Sequence, residues 1–504
     1  MKKLATNILV LLIGLMFLAA SGWLIFQHDA VTGMLWAIGL WLIPFAFFIL
    51  SIVALVNKGL PKLFIPSRLA ASGLFALSLT LGASIVVLAF ANAFAIEVGE
   101  PEEDAAAKIG WFGKWTGYKD LQDNLEEIEG VYATYYVTSE NKDKIPEIER
   151  MMPLIEERLD MYLPKLEADE KPQIELHRDA STLQLLGDGD MLGGFYTSIT
   201  ERMHIHDNNT YWKEILIHEY AHYRIHQYQL EKTGEALLIP IWLEEGFADM
   251  VTGTLPLGPF DAYQDLPLEE VHKRGSRTTT ELNGVSLYTY GQLLVTELTR
   301  KGGVEQLQKW LLEEDTTQLE QDFRALYGMS EDQEIQRVII ADYQKQLTIS
   351  AESRMEASTN HFEDWQEQLD VLKEKLYLPM YIQAMEHCYR LFKNELNFEE
   401  AEQLLNLLER TDITRTQEEI QQERAMLEAG KGNLEEAVRL LEEITSTQTE
   451  GVRLLLLQQD NLLLKQLIEN PHDPEVANYL QNRPLFGDGT SEWLNRMQQN
   501  MNTE

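Results

Sequence analysis

One cysteine, Cys388, stands among 504 residues. No disulfide within the chain is possible, and no disulfide framework defines its fold. Positive charge is also scarce: 42 Lys and Arg face 80 Asp and Glu, a formal net charge of −38. Such a chain repels phosphate backbones, which excludes nucleic acid as a partner, and it repels anionic lipid headgroups too. Charge of either sign is missing from three apolar runs, residues 4–26, 34–56 and 69–95. Each reaches the about 20 helical residues that cross a hydrocarbon core, and the lack of charge leaves no ion path through them.

The flanks of these runs orient them. Lys2 and Lys3 precede the first, Lys58, Lys62 and Arg68 lie between the second and third, and the loop 28–33 has no Lys or Arg. The positive-inside rule puts the N-terminus in the cytoplasm, and three crossings leave everything past residue 96 outside. A cleaved signal peptide in place of the first run would give the same placement. The expectation is a multi-pass protein of the cell membrane, with residues 1–96 as a three-helix anchor. Residues 97–127 read as a juxtamembrane linker, acidic at first and then carrying Trp111, Phe112, Trp115 and Tyr118.

From residue 128 to 347 the pattern is that of a folded α+β domain. Residues 131–138 (VYATYYVT), 173–177 (QIELH), 193–199 and 202–206 (RMHIH) read as strands. Residues 145–166 have helical apolar spacing. A helix over 210–229, with Asn209 or Thr210 at its N-cap, carries His218-Glu219-Tyr220-Ala221-His222. Four residues apart on a helix, His218 and His222 share one face and can reach one metal ion, with Glu219 beside it as a base. Lys213, Glu214, Arg224 and Gln227 on this helix exclude a place within the membrane.

Catalytic zinc takes three protein ligands and keeps a position for water. The pattern with Gly three and His six residues after the second histidine fails, because Ile225 and Tyr228 occupy those positions. His226 lies a turn beyond His222, and a structural or surface role suits it better. A second helix, opened by Pro240 and spanning 241–252, offers Glu244 and Glu245. Adjacent helical residues point about 100° apart, so only one faces the metal. Glu245 is preferred, because Asp249 one turn on can accept a hydrogen bond from a ligand histidine. Further helices are expected over 286–300, 304–312 and 317–327.

The motif His218-Glu219-x-x-His222 followed by Pro240-x-Trp242-Leu243-x-Glu245-Gly246-Phe247-Ala248 resembles the gluzincin zinc peptidases of the peptidase-MA-like group. The resemblance implies a zincin-like domain, one zinc ion held by His218, His222 and Glu245, and a supporting carboxylate at Asp249. It implies that Gly194-Phe195-Tyr196, before the RMHIH strand, is the edge strand along the substrate. It also implies that Tyr288, in Leu287-Tyr288-Thr289-Tyr290-Gly291, stabilises the oxyanion, with Tyr290 in reserve. The Gly-x-Met-Glu-Asn stretch of aminopeptidases in that clan is absent, which points to an endopeptidase. The expected chemistry is attack by zinc-activated water, with Glu219 moving the proton, on a peptide or protein substrate outside the cytoplasm. The strand holding His204 and His206 offers a partner for an extended peptide by β-addition. Two other readings stay open: a catalytically silent, membrane-tethered scaffold, and a zinc hydrolase of non-peptide amides or esters.

Residues 350–504 read as an all-α domain. Asn397-Phe398-Glu399-Glu400-Ala401 recurs in type as Asn433-Leu434-Glu435-Glu436-Ala437, each between two helices, which resembles tetratricopeptide hairpins. That arrangement implies either a surface for a protein partner or a helical cap that packs on the α+β domain.

Overall fold

The computed structural model describes residues 2–28, 30–60, 65, 67–99, 125–166, 171–178, 193–197, 201–254, 281–282, 285–330, 332–360, 365–447, 452–470 and 472–501. Most of the expected linker, including its four aromatic residues, lies outside them, as do Ser198 and Ile199 of the expected third strand. Among the described residues the protein is mostly helical (75%) with a small mixed sheet. It divides into two compact units, Met1–Lys142, Lys171–Glu219 and Arg274–Glu281 in one, and Asp143–Glu170, Tyr220–Lys273 and Leu282–Glu504 in the other.

In the first unit, the apolar runs form helices α1 (Lys2–Phe26), α2 (Ala30–Val56) and α3 (Arg68–Gly99). Residues Thr32–Val56 and Arg68–Ala93 are long and apolar enough to cross a membrane; the described apolar part of α1, Ile13–Phe26, is shorter. Their apolar side chains point outward as well as inward. Leu35 is 64% exposed and Phe90 65%, an outward surface that suits lipid and not water. Close contact is made through small residues: a Cβ at Gly82 would lie 3.1 Å from the Trp41 ring. The buried Asn92 side chain donates to the His28 carbonyl across 3.3 Å.

The sheet of this unit has the order β1-β2-β3-β5-β4. Its strands are β1 (Glu126–Glu129), β2 (Thr134–Val137), β3 (Gln173–His177), β4 (Gly194–Thr197) and β5 (Arg202–His206). Strands β2, β3 and β5 run parallel, while β1 and β4 pair antiparallel at the two ends. Alternation puts Tyr135, Val137, Ile174, Leu176, Met203 and Ile205, all buried, on one face. The other face carries Tyr136, Glu175, His177, Arg202, His204 and His206. Strand β1 is acidic except for Ile128, and its end glutamates pair with Lys142 and, at 3.1 Å, Lys171.

The second unit contains α4 (Ile145–Leu159), the C-terminal half of α5 (Trp212–Thr233) and α6 (Ile241–Thr252). Helix α4 ends seven residues before its expected limit, yet Leu163 beyond it is still buried. Pro240 caps α6 with extended backbone and is not its first helical residue. Then come β6 (Glu281–Leu282, which lies at the boundary of the units), β7 (Val285–Ser286), α7 (Leu287–Gly302), α8 (Val304–Trp310) and α9 (Thr316–Tyr327). Helix α10 (Asp332–Asn360) runs unbroken through residues 347–350. The core around α6 is aromatic: Trp242 meets Phe323, Phe323 meets Trp310, and Tyr162 sits edge-on to Phe247.

Helices α6 and α7 touch backbone to backbone. A Cβ on Gly246 would lie 2.4 Å from the Gly291 carbonyl, and one on Gly291 would lie 2.4 Å from that of Trp242. Neither neighbour is a side chain that can move aside. Gly246→Ala or Gly291→Ala is therefore expected to cost about 1–3 kcal/mol by overpacking, read as a lower denaturant midpoint; a wild-type midpoint would refute the close crossing.

The helices that follow are α11 (Trp365–Lys375), α12 (Leu378–Asn394), α13 (Phe398–Thr411), α14 (Gln417–Lys431), α15 (Leu434–Thr447), α16 (Val452–Glu469), α17 (Pro474–Asn482) and α18 (Thr490–Met501). The repeated motif has a repeated turn. Leu396 and Gly432, at matching positions, both have positive φ, 65° and 95°. Asn397 N–H donates to Phe392 O at 2.8 Å, and Asn433 N–H to Glu428 O at 2.9 Å. This is the helix-ending turn in which a left-handed residue closes the last carbonyls, once with the expected glycine and once with leucine.

Candidate metal centre

Helix α5 is continuous, but the division between the units falls within it, between Glu219 and Tyr220. Asn209 precedes it, its Oδ1 accepting from Tyr211 N–H at 2.9 Å. Near its start, glycine lets the sheet come close. A Cβ at Gly194 would lie 2.6 Å from Ile215 and 3.4 Å from Cγ of the buried Glu219. Strand β4 thus lies beside the expected base.

The C-terminal half of α5 is anchored by polar contacts. The buried Arg224 guanidinium and the Tyr220 hydroxyl both donate to the Glu156 carboxylate, and Arg224 also reaches the Pro164 carbonyl at 2.8 Å. Helix α6 is held at its other end. Arg158 donates to the carbonyls of Val251 at 2.9 Å and Thr252 at 3.1 Å, where the helix dipole favours a cation. Burial lowers the Arg158 pKa to about 10, which leaves it charged at neutral pH.

Between these anchors, His218, His222 and Glu245 each present a ligand atom, all within 4.8 Å of one another. His222 Nε2 lies 3.4 Å from Glu245 Oε2. Its other nitrogen, Nδ1, is 3.0 Å from Glu244 Oε1. The ring is therefore held by a carboxylate at Nδ1 while Nε2 is turned toward Glu245. Burial lowers the His222 pKa, but Glu245 and Glu244 outweigh it and raise it to about 10. The pocket thus attracts positive charge strongly. The donor set, two imidazoles and a carboxylate with the second nitrogen of one ring fixed by an outer carboxylate, fits a zinc ion.

No family model matches this chain, and neither a curated protein nor a solved structure does.

The other expected residues are positioned separately. Tyr288 is half-buried in the first turn of α7, whereas Tyr290 is fully buried. The Asp249 backbone carbonyl accepts from Gln292 at 3.1 Å and from Thr252 at 2.7 Å. Tyr196 is half-buried on β4. One expectation needs correction. Strand β5, with His204 and His206, is flanked by β3 and β4, so it has no edge for a peptide. His204 is buried and stacked on Phe195, with ring centroids 4.4 Å apart. Among the described residues, the strand at that end of the sheet is β4.

Sequence reasoning missed two features. One is the contact of Glu244 with His222. The other is a second convergence, Glu175, His177 and His204, all buried. Burial lowers His177 to about 4 and His204 to about 3, so both imidazoles are neutral at pH 7.

Proposed function

We propose that the protein is a membrane-anchored, zinc-dependent peptidase of the gluzincin kind, with a zincin-like α+β domain, acting as an endopeptidase outside the cytoplasm. One observation carries this reading: two histidines a turn apart on a helix converge with Glu245 of a second helix, and Glu219 stands next to the first histidine. Zinc in that donor set supplies Lewis acidity toward a water and toward a carbonyl oxygen.

The chain's own groups do the rest. Glu219 takes the proton of the attacking water and returns it to the leaving amine. The Tyr288 hydroxyl donates to the developing oxyanion; Tyr290, fully buried, cannot meet a substrate. An extended peptide adding to the edge of β4 would run past Gly194 and so past Glu219. Glu244 keeps the His222 ring in one tautomer. The apolar helices anchor this machinery, and the flanking lysines and arginine place residues past 96 outside. The tetratricopeptide-like hairpins α12–α15 supply a surface for a protein partner.

The test compares peptides and new N-termini at the surface of cells carrying wild-type protein or Glu219→Gln. Fragments made only by the wild type support the peptidase. Identical fragments with zinc bound would move the chemistry to a non-peptide amide or ester. A wild-type chain purified without metal at His218, His222 and Glu245 would leave the silent scaffold.

A further inference from the structure

The sheet carries a second convergence of metal-ligating atoms that the proposed hydrolysis does not use. Glu175 and His177 share a face of β3, and His204 lies on the same face of β5, directly opposite Glu175 in register. Phe195 of β4 stacks on the His204 ring. Side-chain exposure is 4% or less for all three groups.

Two of the three spacings are near those of ligands, and the third, to the other carboxylate oxygen, is longer. Zinc bonds nitrogen at about 2.0–2.1 Å and carboxylate oxygen at about 2.0–2.2 Å. Tetrahedral corners are about 1.6 times that distance apart, or about 3.3–3.5 Å. Here His177 Nε2 is 3.1 Å from His204 Nδ1 and 3.4 Å from Glu175 Oε1, and His204 Nδ1 is 3.8 Å from Glu175 Oε2. Two of these three separations are beyond the usual hydrogen-bond range. The 3.1 Å contact suits either an N–H···N bond or two ligands of one ion. Arg202 donates to Glu175 Oε2 at 2.8 Å, an outer partner that orients the carboxylate and leaves Oε1 toward His177. A carboxylate and two imidazoles withdrawn together from water carry a large desolvation cost; Arg202 offsets part of it at the carboxylate, and a shared cation would offset more.

We propose that Glu175, His177 and His204 bind a divalent transition-metal ion of the zinc type, pinning β3 to β5. Those strands are parallel and have no hairpin between them, so the ion supplies a cross-link that local sequence does not. This site is independent of His218, His222 and Glu245, and of any catalytic activity.

The experiment is elemental analysis of the full chain, made in zinc-containing medium and purified in detergent without chelator. Wild type is expected to carry one ion in each cluster. Glu245→Ala should keep one, as should His177→Ala/His204→Ala, and the combined variant should carry none. Cobalt replaces zinc in the Glu245→Ala chain as a second readout, and visible bands of tetrahedral, imidazole-bound cobalt are expected. A Glu245→Ala chain that melts like wild type but holds no metal would overturn the proposal. So would metal on that chain that survives loss of both histidines. If the double-histidine variant does not fold, the cobalt spectrum decides: absence of imidazole coordination overturns the site. One ion in wild type, lost with Glu245, would refute this cluster alone; one ion lost only with His177 and His204 would refute the catalytic centre alone.

Discussion

Glu219→Gln is expected to lower hydrolysis by at least about 10²-fold, the lower end of what a positioned general base contributes, while metal content stays at the wild-type level. The amide has the shape of the carboxylate but cannot accept the proton. Glu219 is not among the three converging donors, so its charge can be removed without breaking the metal site. It is buried, with Cγ close to where a side chain at Gly194 would stand, and an isosteric change leaves that packing intact. Turnover of a pooled quenched-fluorescent peptide library by full-length protein in detergent reads the first effect, and elemental analysis reads the second. Wild-type turnover by the variant would sink Glu219 as the base.

The other large effect separates two neighbouring glutamates. Glu245→Ala removes a donor whose Oε2 faces His222 Nε2, and this cluster is expected to lose its metal on purification. Glu244→Ala removes only the outer partner of Nδ1. Losing such a partner weakens metal affinity by about 10–100-fold, so metal should remain when zinc is in excess and leave under a mild chelator competition. A competition titration followed by elemental analysis measures both, and metal bound to the second cluster is subtracted with the His177→Ala/His204→Ala background. Retention in Glu245→Ala with loss in Glu244→Ala would exchange the two roles.

Much of the helical framework was legible in the residues. The bounds of α6 follow from Pro240 before it and the apolar period within it, and those of β3 and β5 from strict alternation. The end of α4 was not. Apolar spacing continues to Leu163, and that residue is indeed buried, but the chain buries it from a turn. Strand β1 carries no strand signal at all, because EEIE becomes extended only by pairing with β2. In the site, the 100° rule separates Glu244 from Glu245 but overlooks that an imidazole has two nitrogens. Each glutamate faces a different one. The second cluster was hidden because it depends on which residue of β3 lies opposite which residue of β5. No local spacing encodes that register; only the burial of two polar strand faces betrays it.

The crossing at Gly246 and Gly291 bears on motion. Two helices in backbone contact cannot roll past one another, since there are no side chains to change rotamer at the pivot. Glu245, next to one glycine, and Tyr288, one turn before the other, therefore travel as parts of one rigid lever. Whatever else in that unit moves, the distance between those two groups is not the variable.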